Sequence, residues 1–345
     1  MFLLEVIKMY IIIGGSSFIG VHTAEEFLMQ GSEILVTGRN DKYREYYESR
    51  GVSYLNLDLS RDEDFKQLPQ HGVNGVILLA GLLPANAPVN LDIDENAADY
   101  FEINTKGTIR VLEYCRKNNI NRVISTSSYA DVRNAWSADR AITEDEPRSF
   151  VYKGDHAVYV MSKNAACDVM EYYNQQHGMK NAWFRFPPVY GVGPHGSLFI
   201  NGKFVKSGLQ IFMDKAKKGE DITIFGNKNL SRDVVYVKDV AHAFYLAIKS
   251  SQTQGLYNMT SGRGVTLQEQ AEVIAEVFAQ SRECKSKIVY KPEVPNNTPS
   301  YLFSMEKAKR DFGFVPRFDH FKDMMLDMKQ DIDQRKYYEL FHYEV

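Results

Sequence analysis

Tyr159 and Lys163, in the stretch HAVYVMSKNAACDVMEYY, lie four residues apart. On a helix that spacing puts both on one face, where they can reach one ligand together. A phenol with an unperturbed pKa of about 10 is a poor base at neutral pH until a nearby ammonium favours its anion, and Lys163 can supply that charge. The chemistry this suggests is acid–base catalysis. Tyr245 and Lys249 in FYLAIKS repeat the spacing, so spacing alone does not decide. Context separates the pairs: Tyr159 follows a strand-like run ending in STSS, whereas Tyr245 sits among apolar helix positions and reads as core.

A possible ligand is indicated near the start of the chain. Residues 9 to 31, MYIIIGGSSFIGVHTAEEFLMQG, combine an apolar strand-like run, a glycine turn and a helical pattern. Gly14, Ser17 and Gly20 occupy the three positions of GxxGxxG, with Ser17 replacing the middle glycine. Small residues at this spacing let the backbone approach a pyrophosphate at the positive end of the following helix. Ser16, Ser17, Phe18 and Ile19 are the residues at that helix start. A purely structural strand-to-helix turn is the alternative, but the motif opens the first βα unit, where a dinucleotide fingerprint belongs. Gly38 stands where an NAD enzyme usually carries an acid for the ribose hydroxyls, and Arg39 follows it with Lys42 and Arg44 nearby. A missing acid beside cations favours NADP over NAD, unless Arg39 is a solvated loop charge. Asp58, with Leu59 beside it after the third strand, suits an adenine amino group; it suits a cap or turn equally.

The elements that must position these residues alternate. MYIIIGG, SEILVTG, SYLNLDL, GVILLAG, RVISTSS and NAWFRFPPVYG read as strands, and the runs between them have helical spacing. This implies an α/β, doubly wound, mainly parallel sheet. Beyond about residue 190 the rhythm breaks into Gly- and Pro-bounded pieces, so the expected division is a dinucleotide-binding domain over 9–190 and a smaller C-terminal substrate-binding lobe over 191–345. A chain of 345 residues with 44% hydrophobic content can bury a substantial core. A formal net charge of −3, with charges interspersed, offers no basic field for nucleic acid or an anionic membrane. MFLLEVIKMYIIIGG carries Glu5 and Lys8 and reads as an extension plus first strand instead of a signal peptide, and a cytoplasmic location is expected. Three scattered cysteines without a CxxC or Cys/His pairing imply neither a disulfide framework nor a metal site.

GGSSFIG, LLAG, INTKGTIRVLEYCRKNNINRVISTSS, YVMSK, RFPPVYGVGP and SRDVVYVKDVAHA occur in this order, and the chain resembles the extended short-chain dehydrogenase/reductase family, the NAD-dependent epimerase/dehydratase group, over roughly residues 9–320. The resemblance implies a Rossmann-type sheet, Tyr159 as acid/base, Lys163 as nicotinamide-ribose ligand and tuner of Tyr159, and Ser128 as the hydroxyl on the reacting oxygen, with Ser127 as alternative. It further implies Asn104 behind the cofactor, Ala80 and Gly81 flanking it, the backbone from Pro187 to Val189 facing the nicotinamide, and Arg232 clamping a nucleotide-sugar pyrophosphate. An ion pair of Arg232 with Asp233 or another acid is the bland alternative, as a helix cap is for Asn104 and a strand end for Ser128. Departures also appear. Tyr129 and Ala130 replace the Asp-Glu pair that follows the hydroxyl in 4,6-dehydratases of this family, which disfavours that dehydration. Pro188 replaces a common asparagine, and Lys291 in YKPEVP poorly matches a late arginine. The expected activity is that of a sugar-nucleotide epimerase-like oxidoreductase, with an NADPH-dependent carbonyl reductase and a non-catalytic dinucleotide sensor as alternatives. A homodimer is expected through the helices around Asn104–Asn118 and Tyr159.

Overall fold

The six strand-like runs and one further segment form a single seven-stranded parallel sheet in the computed structural model, which describes residues 9–86, 96–154, 156–194, 196–200, 203–296 and 298–343. The strands are β1 (Met9–Ile13), β2 (Glu33–Gly38), β3 (Ser53–Asn56), β4 (Val73–Leu78), β5 (Val123–Thr126), β6 (Ala182–Arg185) and β7 (Gly255–Asn258). Their order is β7-β6-β5-β4-β1-β2-β3, and every pairing is parallel. Side chains alternate across a strand, so an uninterrupted apolar run fills both faces of a covered sheet. β1 does this: Tyr10 and Ile12 enter one core with Val36, Ile77 and Phe184, while Ile11 and Ile13 enter the other with Leu35, Leu78 and Val123. Each fully buried isoleucine contributes roughly 1.5–3 kcal/mol.

The connecting helices are α1 (Phe18–Met29), α2 (Lys42–Glu48), α3 (Gly107–Lys117), α4 (Ala157–His177) and, after the sixth strand, α5 (Val237–Lys249). The helix expected as one piece before residue 118 is three: Ala97–Tyr100, a π-helical stretch Phe101–Lys106, and α3. Gly178, at φ 64°, closes α4 in the left-handed region that glycine adopts without a Cβ penalty.

Beyond residue 190 the chain leaves the main sheet and returns to it. Val235–Tyr236 pairs with Val189–Tyr190, Ile222–Phe225 with Ile288–Lys291, and Ser231–Asp233 with Gly264–Thr266. β7 then comes back to pair with β6, and α5 packs along α1. The aromatic C-terminal segment is packed: the Tyr337 ring lies 4.7 Å from His22, and Lys42 Nζ donates to the Leu340 carbonyl across 2.8 Å. No described helix is long and apolar enough to cross a membrane. Among the described residues, no three or more His, Cys, Asp or Glu side chains are grouped to hold a metal.

Candidate active site

Strand order reverses between β1 and β4, and in a doubly wound sheet the crevice at that switch point is where ligands bind. The glycine turn opens there. Gly14 has φ 92°, and a Cβ on it would stand 2.7 Å from Ala80 Cα, so no side chain fits between the β1 turn and the end of β4. A Cβ on Gly20 would lie 2.6 Å from Gly15 Cα, which fixes the close approach of α1 to the turn. Ser17 is the N-cap of α1, its Oγ accepting from the Gly20 N–H across 3.1 Å. Serine in the middle position therefore adds a cap without closing the turn. Glycine turn, helix N-terminus and switch point together fit a dinucleotide pyrophosphate.

Just after β2, the Arg39 side chain is 66% exposed and faces Asp58 across 3.7 Å. Asp58 Oδ1 accepts from the Ser60 N–H at 2.8 Å and the Ser60 hydroxyl at 2.7 Å, which is the turn role the sequence left open. Burial pushes its pKa up, but these bonds and Arg39 outweigh that and hold it below the ordinary carboxylate value. Leu59 is buried, its side chain filling the space beside Gly107.

Asn104 lies in the π-helical stretch and braces the site from behind. Its Oδ1 accepts from the Leu82 N–H at 2.7 Å, and its Nδ2 donates to the Leu82 carbonyl and to Ser162 Oγ, both at 3.0 Å. The side chain thus joins the loop carrying Ala80 and Gly81 to α4, one residue from Lys163. A Cβ on Gly81 would already be 3.0 Å from Asn104 Oδ1.

Ser128, at the end of β5, caps the short helical turn Tyr129–Ala135, its Oγ accepting from the Ala130 N–H across 3.3 Å. A hydroxyl that accepts retains its own proton to donate. Ser127 instead uses its hydroxyl on Cys167 of α4 and its N–H on the Phe184 carbonyl. Lys163 is buried, and its Nζ donates to Thr126 Oγ1 across 3.1 Å. Burial lowers its pKa to about 8. Tyr159 sits beside Tyr100, ring centroids 6.3 Å apart. Burial raises the phenol above its ordinary value, and Tyr100, Cys167 and Tyr129 add to the rise. The Lys163 ammonium is turned to Thr126, and the phenol stays protonated at neutral pH.

Pro187 follows β6, the Pro188 carbonyl accepts from the Val235 N–H at 3.1 Å, and Val189 pairs with Val235, so this backbone is anchored to the short strand that leads into α5. Two residues upstream, Arg185 makes a buried ion pair with Asp131, 2.8 Å long, that ties β6 to the turn after Ser128. Sequence reasoning missed this pair, although a charge in an otherwise apolar strand signalled that a partner was needed. Arg232 does not pair with Asp233. Asp233 faces the other way, accepting from Thr260, Ser261 and the Phe303 N–H. The Arg232 guanidinium bonds the Tyr190 hydroxyl at 2.9 Å, while its buried Nε has no partner among the described residues. Tyr190, with Tyr301 and Tyr129, outweighs burial and raises its pKa.

The NAD dependent epimerase/dehydratase family matches residues 10–260. The chain belongs to this enzyme family. Curated relatives include the UDP-glucose 4-epimerase of Halalkalibacterium halodurans, 22% identical over 91% of this chain and 92% of that protein. Another is the dTDP-4-dehydro-6-deoxyglucose reductase of Escherichia coli, 23% identical over 89% of this chain and 92% of that one. Among solved structures, the UDP-glucose 4-epimerase of Thermus thermophilus in complex with NAD shares the fold, with a TM-score of 0.72 at 23% identity over 94% of this chain and 99% of that one.

Proposed function

We propose that this protein is a cytoplasmic, NAD(P)-dependent sugar-nucleotide epimerase-like enzyme with a Ser128/Tyr159/Lys163 site. The observation that supports the reading most is that Lys163 of α4 bonds Thr126, two residues before Ser128, while Asn104 bonds Ser162 beside it; the Nε of Arg232, in the part of the chain beyond 190, has no partner among the described residues. The dinucleotide, when bound, supplies a hydride acceptor and, in its oxidised ring, a positive charge. Tyr159 carries the transferred proton at its phenolic oxygen, as acid from its protonated resting form and as base when positive charge gathers around it. Ser128 donates to the substrate oxygen and so fixes which carbon presents its hydrogen. Lys163 holds the ribose, Asn104 keeps the Ala80–Leu82 loop in place behind it, and Arg232 receives the pyrophosphate, for which a planar guanidinium offers two parallel donors. The segment beyond residue 190, apart from β7 and α5, forms the substrate side. Phe101, Met161 and Tyr172 are exposed apolar residues on the π-helical stretch and α4, and they support a homodimer through that face, to be checked by sedimentation.

Arg39 and the absence of an acid at Gly38 support NADP(H) as cofactor, tested by comparing NADPH and NADH titrations. The activity is tested by incubating the protein with UDP-glucose or a dTDP-hexose and separating the products by chromatography. Formation of the 4-epimer without net change in nicotinamide absorbance supports epimerisation; stoichiometric NADPH consumption would replace it with carbonyl reduction.

A further inference from the structure

We infer that Ser16 and Tyr54 determine the cofactor class, by excluding an acid from position 38 and by holding the backbone that carries Arg39. The inference rests on the proposed preference for NADP(H) and names the residues that impose it.

Gly38 is the last residue of β2, and Tyr54 lies on the adjacent β3. A Cβ on Gly38 would stand 2.5 Å from the Tyr54 hydroxyl oxygen and 2.8 Å from Ser16 Cβ, separations that real side chains do not adopt. The position therefore admits no aspartate or glutamate, and the bidentate carboxylate that grips two ribose hydroxyls cannot be placed there. Nor can the obstruction swing aside. Tyr54 is buried, donates to the Asn40 carbonyl at 2.9 Å, accepts from the Ser16 hydroxyl, and stacks on Tyr47 with ring centroids 5.9 Å apart at 13°. Tyr47 in turn donates to the Gly15 carbonyl at 2.6 Å. The two phenols thus lock the glycine turn to α2 and β3.

The bond to Asn40 matters most for Arg39, because it pins the carbonyl of the residue next to it. Among the described residues, Arg39 itself is restrained only by Asp58 at 3.7 Å, too long for a strong hydrogen bond, so its guanidinium is available to a phosphate monoester. Tyr54 is a positioning residue in this scheme and contributes no contact of its own to the nucleotide.

The test is fluorescence titration of the full chain with NADPH and with NADH at fixed ionic strength. Tyr54→Phe is expected to weaken NADPH about three- to tenfold, the value of one hydrogen bond, and to leave NADH within about twofold. Gly38→Asp alone is expected to lose NADPH without gaining NADH, whereas Ser16→Gly, Gly38→Asp and Tyr54→Phe combined make room for the acid and bind NADH more tightly than NADPH. Equal effects of Tyr54→Phe on both nucleotides would overturn the inference, as would tight NADH binding by Gly38→Asp alone. If Gly38→Asp fails to fold, the Tyr54→Phe ratio decides. A parent protein that binds NADH more tightly than NADPH refutes the cofactor reading instead, independently of how the variants change the ratio.

Discussion

Lys163 Nζ donates to Thr126 Oγ1 across 3.1 Å, inside a site whose burial lowers the lysine pKa to about 8. Burial penalises the ammonium, so between pH 8 and 10.5 the unfolded chain binds more protons than the folded one, and stability rises with pH across that window. Lysine here therefore destabilises the fold below pH 8. Lys163→Met is expected to raise the melting temperature at pH 7, by up to about 3 kcal/mol of stability, while weakening cofactor binding. Cofactor affinity of the parent should fall as pH rises through about 8, where the ammonium is lost. Calorimetry combined with nucleotide titration from pH 6 to 10 checks both; a variant less stable than the parent would remove the argument.

Tyr159→Phe is expected to preserve fold and cofactor binding while costing on the order of 10²-fold or more in turnover. Tyr245→Phe is the control. Lys249 donates to the Tyr245 phenol across 2.9 Å, so this second YxxxK pair is physically joined, yet the Tyr245 ring packs 5.4 Å from Phe27 in the core. It should change turnover little. Ser128→Ala should lower turnover with less effect on cofactor affinity. Single-turnover rates with a sugar nucleotide compare all three, and parent-like turnover by Tyr159→Phe would refute the assignment.

Six strands were legible because long apolar runs between glycine turns admit few other readings. β7 was not: GLYN is four residues with no internal period, and it becomes a strand only because β6 offers it an edge. The π-helical stretch around Asn104 reads as ordinary helix in the sequence, since a wider helical turn leaves no mark on composition. At the candidate site, residue types and spacing were readable and electrostatics were not. Whether Lys163 acts on Tyr159 depends on which way its ammonium turns, and Thr126, the residue it turns to, carries no motif. For Arg232 the sequence held the answer unused. Neighbours on a strand point to opposite faces, which rules against pairing with Asp233.

Arg232 combines a buried Nε that has no partner among the described residues with a terminal nitrogen already on Tyr190 and Gln270, leaving a charged donor that the described residues do not satisfy. An anionic ligand would complete it. Arg232→Ala is expected to weaken UDP binding by about 1.5–3 kcal/mol, the range for a hydrogen bond to a charged group. Arg232→Lys should recover only part of this, because an ammonium keeps the charge without the planar pair of donors. Calorimetric titration with UDP measures both; unchanged affinity in Arg232→Ala would place the pyrophosphate elsewhere.

Glu26 ties α1, and with it the glycine turn, to α5 and the C-terminal segment. Its carboxylate is 2% exposed, accepts two bonds from Arg317 at 2.8 and 3.1 Å, and meets His242 Nδ1 at 2.8 Å. Burial alone would raise its pKa; His242 and Arg317 together outweigh burial and bring it to about 2, against an unfolded value of 4.5. A carboxyl whose folded pKa is depressed contributes stability above the unfolded value and loses it as pH falls toward the folded one. Glu26→Gln is therefore expected to cost about 2–3 kcal/mol at pH 7, and the difference from the parent should shrink progressively between about pH 5 and pH 2 as the parent's carboxylate takes up its proton. Urea unfolding across that range reads the difference directly. A gap that stays constant down to pH 2 would mean that Glu26 acts through packing and hydrogen bonds alone, and that the charge it shares with Arg317 contributes nothing to holding α1 in place.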